Sequence, residues 1–147
     1  MGVFQWTEAY SVHVELFDCQ HRVLFVVSEE LHQALHVGRG KVVVGRILQR
    51  LIDYATTHFA DEEVAMALKE YPDLRSHRAQ HHALLAQLLH YQKDYQAGKL
   101  GVAEKMMPFL QRWLTDHIMQ TDKKYGSSLN DDDRVPAFKF GRDETGR

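Results

Sequence analysis

Hydrophobic residues recur at the period of an α-helix in four blocks of the chain. Apolar positions separated by alternating steps of three and four residues share one face of a helix, so this spacing predicts amphipathic helices. The four stripes run through residues 17–36, 44–65, 74–95 and 106–120. No strand-like alternation of useful length lies between them, and the pattern therefore predicts an all-α protein.

Short connections separate the four predicted helices. Helix-stop signals stand at residues 38–40, 71–72, 98 and 126–128, and Asp18 is the predicted N-cap of the first helix. Short connections make successive helices antiparallel neighbours. The expected architecture is therefore an up-down-up-down antiparallel four-helix bundle.

The two ends of the chain lack this helical period. Residues 1–16 include several aromatic residues and predict an irregular N-terminal arm laid over the bundle. Residues 128–147 are polar and contain the acidic run 131–133, which is typical of a solvated tail. We therefore expect one domain over residues 1–127, including the arm, followed by a polar C-terminal tail over residues 128–147.

Composition excludes several classes of function. A chain of 147 residues with 44% hydrophobic residues suffices for a single core. A net charge of −2 gives no basic footprint for nucleic acid, and no apolar run approaches the roughly 18 residues of a membrane span. The N-terminus lacks a secretory signal pattern, and a single cysteine makes the reducing cytoplasm the expected location. Cys19 itself is expected to be a half-buried structural thiol and not a redox group.

Seven residues with metal-binding side chains occupy the predicted inward faces, or the edge of one. They comprise five imidazoles and two carboxylates: His21, His58, Glu62, His77, His81, His117 and Asp122. Imidazole suits iron, zinc and copper, whereas carboxylates suit harder ions and can bridge two metals. The set is too large for one tetrahedral zinc ion and about right for a pair of iron ions.

The spacing of these residues places them at one depth of the bundle. Residues four apart, as in the pairs His58/Glu62 and His77/His81, lie on the same helical face with Cβ atoms about 5–6 Å apart. His117 and Asp122 are five apart, which would rotate Asp122 off that face of an ideal helix. Asp122 could still face the site through a π-bulge, through local unwinding of the helix, or if its side chain reached inward from the edge of the stripe.

An ordinary packing role is the competing interpretation. A lone histidine on an apolar stripe is usually a core residue bonded to a carbonyl group, and the remaining histidines are assigned to the surface: His13, His32, His36, His82 and His90. A buried carboxylate such as Glu62, however, is costly without a partner. Seven donors at one depth on four stripes are hard to obtain by packing alone, and a metal site resolves the conflict.

Several segments resemble those of bacterial hemerythrins. They are Asp18-Cys19-Gln20-His21 with Leu24-Phe25, the run from His58 to Glu62, the run from His77 to His81, and Trp113 to Ile118 with Asp122. The resemblance covers roughly residues 3–125 and includes every metal-binding residue type at its spacing. The sequence departs from the family at His13, where a small residue is more usual.

The resemblance implies a non-haem di-iron centre with an oxo or hydroxo bridge. By this likeness one iron is held by His77, His81 and His117, and the other by His21 and His58. Glu62 and Asp122 bridge the two ions, and the iron with only two histidines keeps an open position for dioxygen. The equivalent of the family's oxygen pocket is entirely apolar and comprises Leu24, Phe59, Trp113, Leu114 and Ile118.

The resulting expectation is an oxygen-binding protein and not an enzyme. Ferritin-like di-iron enzymes use four carboxylates with two histidines in Glu-x-x-His motifs, and no such pair lies on these stripes. A di-iron oxidase, a nitric-oxide-handling enzyme and a purely structural metal bundle are the alternatives. Oxygen storage, delivery to an oxygen-consuming enzyme, and sensing would all use the same site, so the sequence leaves them open.

Overall fold

The computed structural model describes residues 2–130, except for the side chains of residues 120–121 and 127–130. After a short 3-10 helix (Glu8–Tyr10) come α1 (Glu15–His36), α2 (Lys41–Leu68) and α3 (Leu74–Gln96). The fourth helix of the bundle has three consecutive parts: α4 (Val102–Arg112), a π-helical segment (Trp113–Asp122) and α5 (Lys123–Asn130). Each helix packs on its neighbours around the bundle, including the fourth on the first, so the predicted all-α four-helix bundle is confirmed. None of the described helices has the length and apolarity needed to cross a membrane.

The apolar stripes of the four helices form one continuous core. At the end of the bundle that contains the α1–α2 loop, every helix contributes a fully buried aliphatic side chain: Leu31, Leu48, Leu88 and Met106. Burial of such a side chain contributes about 1.5–3 kcal/mol relative to leaving it exposed. We call this region the apolar end.

The predicted N-terminal arm lies over the core along α1, and its first residues reach the apolar end. Phe4, Val12 and Val14 are buried against the bundle. The backbone N–H groups of Val3 and Phe4 both donate to Glu29 Oε1 at 2.8 Å. These contacts fasten an otherwise irregular segment to α1.

Asp18 also fastens the arm and is not the N-cap that the sequence predicted. Helix α1 begins at Glu15, so Asp18 lies within its first turn. Its buried carboxylate accepts hydrogen bonds from Ser11 Oγ at 2.6 Å and from the Val12 N–H at 2.8 Å. An aspartate near a helix start can cap the helix or accept hydrogen bonds from a neighbouring segment. Asp18 does the second, because its carboxylate binds the arm.

Gly126 has a packing role where the sequence predicted a helix stop. The fourth helix continues through residues 126–128 to Asn130. A Cβ atom on Gly126 would lie 2.4 Å from the carbonyl oxygen of Val12. The glycine is therefore needed for the close approach of the arm. The predicted polar tail, apart from residues 128–130 in this helix, lies outside the described residues.

Cys19 is exposed on α1 and is not the half-buried thiol that we expected. Partial burial and the carboxylate of Glu15, 3.6 Å away, raise the pKa of its thiol. A raised pKa lowers the fraction of reactive thiolate. Cys19 lies between the buried Asp18 and Gln20, and it is exposed because adjacent helical residues face different directions.

Four of the five histidines outside the predicted site lie at the surface as expected, and the fifth, His32, is partly covered. His13, His36, His82 and His90 are exposed, and His32 is half-buried with its ring 6.4 Å from that of Phe4. His13 adopts a φ of 62°, in the left-handed region. Glycine adopts this conformation at the least cost, so a histidine at this position carries some backbone strain.

Candidate metal centre

All seven predicted metal-binding residues lie together in the interior, at the end opposite the apolar end. Helix α1 contributes one of them, α2 and α3 two each, and the π-helical segment two. Their exposed fractions range from 0% to 8%: His21, His58, Glu62, His77, His81, His117 and Asp122. We call this region the polar end.

The seven side chains form two overlapping groups of donors. One group contains three histidines, His77, His81 and His117, and the other contains His21 and His58. Both carboxylates belong to both groups, and the donor atoms within each group lie within 4.8 Å of one another. Five histidines are thus divided unequally, and the two carboxylates are shared.

Glu62 directs one oxygen at each group. Its Oε2 atom lies 3.0 Å from His58 Nε2 and 3.2 Å from His21 Nε2. Its Oε1 atom lies 3.2 Å from His81 Nε2, which belongs to the group of three histidines. This is the arrangement that a carboxylate bridge between two metal ions requires.

Asp122 repeats this arrangement from the opposite side of the site. Its Oδ1 atom lies 2.9 Å from His77 Nε2 and 3.0 Å from His117 Nε2. Its Oδ2 atom lies 3.2 Å from His21 Nε2. Each carboxylate therefore faces both groups.

The π-helical segment explains how Asp122 reaches the interior. On an α-helix of 3.6 residues per turn, Asp122 would be rotated by about 140° from His117. A π-helix has i→i+5 hydrogen bonds and therefore more residues per turn. Residues Trp113–Asp122 adopt this conformation, so residues five apart lie on nearly the same face. Of the three alternatives that the sequence left open, the structure has the π-helical one.

A family comparison agrees with this arrangement. The model of the Hemerythrin HHE cation binding domain matches residues 12–129. The chain belongs to the hemerythrin family. It is 34% identical over 131 residues to a bacteriohemerythrin from Methylococcus capsulatus, covering 88% of this chain and 99% of that protein. It is 30% identical over 126 residues to a myohemerythrin from Theromyzon tessulatum, covering 86% and 93% of the two chains.

Solved structures agree with the sequence comparison. A wild-type hemerythrin crystal structure superposes with a TM-score of 0.81 at 34% identity, covering 87% of this chain and 98% of that one. The hemerythrin bundle predicted from the sequence is therefore supported by both kinds of comparison.

The polar atoms in this hemerythrin site fit a pair of metal ions. Several buried donor atoms make no well-directed hydrogen bond, although carboxylate and imidazole atoms lie at ion-pairing distance: Glu62 Oε1, His81 Nε2, His117 Nε2 and Asp122 Oδ2. A buried polar atom without a hydrogen bond costs about 1–3 kcal/mol. Cations between these converging atoms would satisfy them all.

The electrostatics keep both carboxylates ionised. Burial alone would raise the pKa of Glu62, but His58, His21 and His81 lower it well below the usual value. Burial and the charge of Glu62 would likewise raise the pKa of Asp122, but His117 and His21 lower it. Burial lowers the pKa of His21, and hydrogen bonds with Asp122 and Glu62 overcome this and raise it to about 9. Ionised carboxylates are the form that binds metal.

Two imidazoles are oriented by hydrogen bonds on their outer side. His58 Nδ1 lies 2.6 Å from Gln20 Oε1, and Gln20 Nε2 donates to Asp61 Oδ2 at 2.8 Å. His81 Nδ1 lies 2.8 Å from Glu63 Oε2. With Nε2 directed at the site, each Nδ1 carries the proton and donates it, an arrangement that fixes the ring of a metal ligand.

Sequence reasoning missed these outer partners. Gln20 directly precedes His21, whereas Asp61 and Glu63 flank Glu62, so all three lie beside the apolar stripes and not on them. The only sequence signal for these three residues was that each is polar and directly adjacent to a candidate ligand.

Sequence reasoning also missed Tyr125. This residue is completely buried, and its hydroxyl donates a hydrogen bond to Glu62 Oε2. Burial and the charges of Glu62 and Asp122 raise the pKa of the phenol well above its usual value, so the hydroxyl keeps its proton. Its position three residues after Asp122, on the same helical face, was the signal that could have identified it.

The five residues of the expected oxygen pocket line one small cavity. The cavity has a volume of about 10 Å³ and is also bordered by His21, His58, His117 and Asp122. Its apolar walls are all buried: Leu24, Phe59, Trp113, Leu114 and Ile118. A space of this size holds about one water molecule. Tyr125 is not among the lining residues.

Proposed function

We propose that this hemerythrin reversibly binds dioxygen at a non-haem di-iron centre. The observation that carries the proposal is the division of the donors into a group of three histidines and a group of two, with both carboxylates directing one oxygen at each group. A shared pair of carboxylates suits two ions of the same kind at short separation. The unequal number of histidines leaves one ion with fewer protein ligands.

The proposed ligand assignment follows this division. His77, His81 and His117 would hold one iron, and His21 and His58 the other, with Glu62 and Asp122 as bridges. Two ferrous ions would supply the electrons that reversible oxygen binding requires. The protein supplies their positions and their surroundings.

The surroundings favour reversible binding over oxidation chemistry. The small cavity borders both histidines of the two-histidine group, and its other walls are largely apolar. Apolar walls exclude water and offer no proton that would help reduced oxygen to leave. The Tyr125 hydroxyl is engaged by Glu62 and does not line the cavity.

The donor set also favours a binding protein over a di-iron oxidase. Ferritin-like di-iron sites have four carboxylates, whereas the two groups here contain only Glu62 and Asp122. Neutral imidazoles in place of carboxylates lower the anionic charge at the metals, which should disfavour highly oxidised iron. We infer that the protein stores, delivers or senses dioxygen; delivery would need an oxygen-consuming enzyme as its partner.

A spectroscopic cycle tests this function. Protein loaded anaerobically with Fe²⁺ should contain two irons per chain and be nearly colourless, develop a charge-transfer colour in air, and lose it when oxygen is removed. Zn²⁺-loaded protein is the matched control and should remain colourless throughout. Catalytic oxygen consumption with an added reductant, or irreversible oxidation on first exposure, would support the oxidase or nitric-oxide-handling alternative instead.

A further inference from the structure

Tyr125 is a polar side chain of the polar end that belongs to neither group of donors. Its hydroxyl contacts one atom of the site, Glu62 Oε2, which also faces His21 and His58. The other oxygen of the same carboxylate faces His81 and has no directed hydrogen bond. The tyrosine therefore distinguishes between the two oxygens of the Glu62 carboxylate.

This contact restrains the rotation of the carboxylate. Hydrogen bonds to ionised acceptors are shorter and roughly twice as strong as those between neutral groups. The Glu62 carboxylate lies at the end of two methylene groups, and the terminal torsion of such a side chain is broad. A donor fixed on one oxygen keeps that oxygen toward His21 and His58, and leaves the other toward the group of three histidines.

The phenol ring is itself held on several sides. It makes edge contacts with Phe17 and His77, at ring-centroid distances of 5.8 and 5.3 Å. The next residue, Gly126, packs directly against the backbone of Val12 in the arm. Because Tyr125 follows the π-helical segment, the same local change that turns Asp122 inward also sets the direction of Tyr125.

We propose that Tyr125 is a positioning residue for Glu62, which it holds as a bridge by donating a hydrogen bond to the oxygen that faces His21 and His58. This inference rests on the proposed two-metal site. It assigns Tyr125 no contact with the metals and no part in proton transfer. Its effect should fall mainly on the metal ion of the two-histidine group, because that ion has fewer histidines to hold it.

Titration of the metal-free protein with Co²⁺ under anaerobic conditions tests the proposal without oxygen chemistry. Wild-type protein should bind two equivalents, followed by the visible absorption of the cobalt ions. In Tyr125→Phe, which removes only the hydroxyl, one equivalent should bind about 10- to 100-fold more weakly, the usual effect of removing a partner of a metal ligand. The other equivalent should change little. Tyr91→Phe is the matched control, because this half-buried tyrosine on α3 packs on Phe109, away from the site, and should bind both ions as the wild type does.

The selective loss of one equivalent separates positioning from a general structural role. Unchanged binding of both ions in Tyr125→Phe would overturn the proposal. Equal weakening of both ions, or loss of helicity in the metal-free variant, would also overturn it, because the hydroxyl would then serve the fold. Failure of the wild-type protein to bind two ions would instead contradict the two-metal site itself.

Discussion

The two ends of this bundle are stabilised in different ways. At the apolar end, every helix contributes a fully buried aliphatic side chain, such as Leu48 or Leu88. At the polar end, the equivalent inward positions hold imidazoles and carboxylates, several of which have buried atoms without directed hydrogen bonds. The apolar end can be stable without a ligand, whereas the polar end is completed by one.

The difference shows how one helical pattern serves two purposes. The same spacing of inward positions runs the length of each helix, with aliphatic residues at one end and polar residues at the other. The polar residues need a compensating charge, and they lie on a scaffold that the apolar end already supports. Each end of the bundle is therefore a control for substitutions made at the other end.

The largest effect on metal content should come from removal of a bridging carboxylate. Glu62→Ala removes the oxygens that face both groups and should lose most of the iron pair. Leu48→Ala, at the apolar end, should cost about 2–5 kcal/mol of stability as a buried leucine truncation but retain two irons. Elemental analysis of iron per chain, with denaturant unfolding of both variants, measures the contrast. Iron loss in Leu48→Ala equal to that in Glu62→Ala would mean that the two ends are not independent.

A finer version of this test uses adjacent histidines on α3. His81 is buried in the site, whereas His82 is exposed. His81→Ala should deplete iron, and His82→Ala should leave the iron content unchanged. Equal depletion by both substitutions would show that the inward face of α3 is assigned wrongly.

Removal of the metal should loosen one end more than the other. Metal that binds the folded chain in preference to the unfolded chain raises stability by mass action, so the metal-free protein should melt at a lower temperature. Hydrogen exchange should accelerate mainly in the helical turns around His58, His77 and His117. The turns around Leu48 and Leu88 should stay protected until global unfolding. Equal melting temperatures with and without iron would contradict a buried metal site.

Opening the small cavity should affect oxidation but not metal binding. Leu114→Ala removes a buried wall of the cavity and should admit water, so autoxidation of the oxygenated protein should become several-fold faster at unchanged iron content. Trp113→Phe keeps an aromatic apolar wall and should have a milder effect. Leu31→Ala makes a similar space at the apolar end and serves as the control. Faster autoxidation in Leu31→Ala as well would attribute the effect to general loosening and not to the cavity.

The sequence was sufficient for the features that follow helical periodicity. Four stripes predicted four helices, and the donors on those stripes predicted the polar end, because both depend on spacing within one helix. The sequence was insufficient to predict roles that depend on a contact between segments distant in the chain. Asp18 and Gly126 resemble local cap and stop signals, but their roles come from the approach of the arm to the bundle. Likewise, the Tyr125 contact depends on how the fourth helix meets α2. The π-helical turn was one of three ways in which the sequence could bring Asp122 inward, and spacing alone did not choose among them.

The stability of the metal-free protein should depend on pH through the polar end. The pKa of His21 is raised from 6.5 in the unfolded chain to about 9 in the fold. The protonated form therefore contributes stability that is fully present below pH 6.5 and is lost as the pH rises through about 9. Denaturant unfolding of the metal-free protein should give a lower free energy of unfolding at pH 9 than at pH 6, and His21→Gln should reduce this difference. If the free energies of unfolding of the variant and the wild type differed by the same amount at both pH values, a charged His21 would be contradicted.

The smallest effect should come from the C-terminal residues. All seven candidate ligands, Tyr125 and the arm contacts lie before residue 131, and the match to the hemerythrin family model ends at residue 129. Deletion of residues 131–147 should therefore leave iron per chain, helicity by circular dichroism and the oxygen spectrum unchanged, because both ends of the bundle keep all the contacts described above. Deletion of residues 123–147 is the matched control and should lose iron, since it removes Tyr125 and the glycine against which the arm packs. Iron loss on the shorter deletion would show that the polar end extends beyond the bundle into the C-terminal residues.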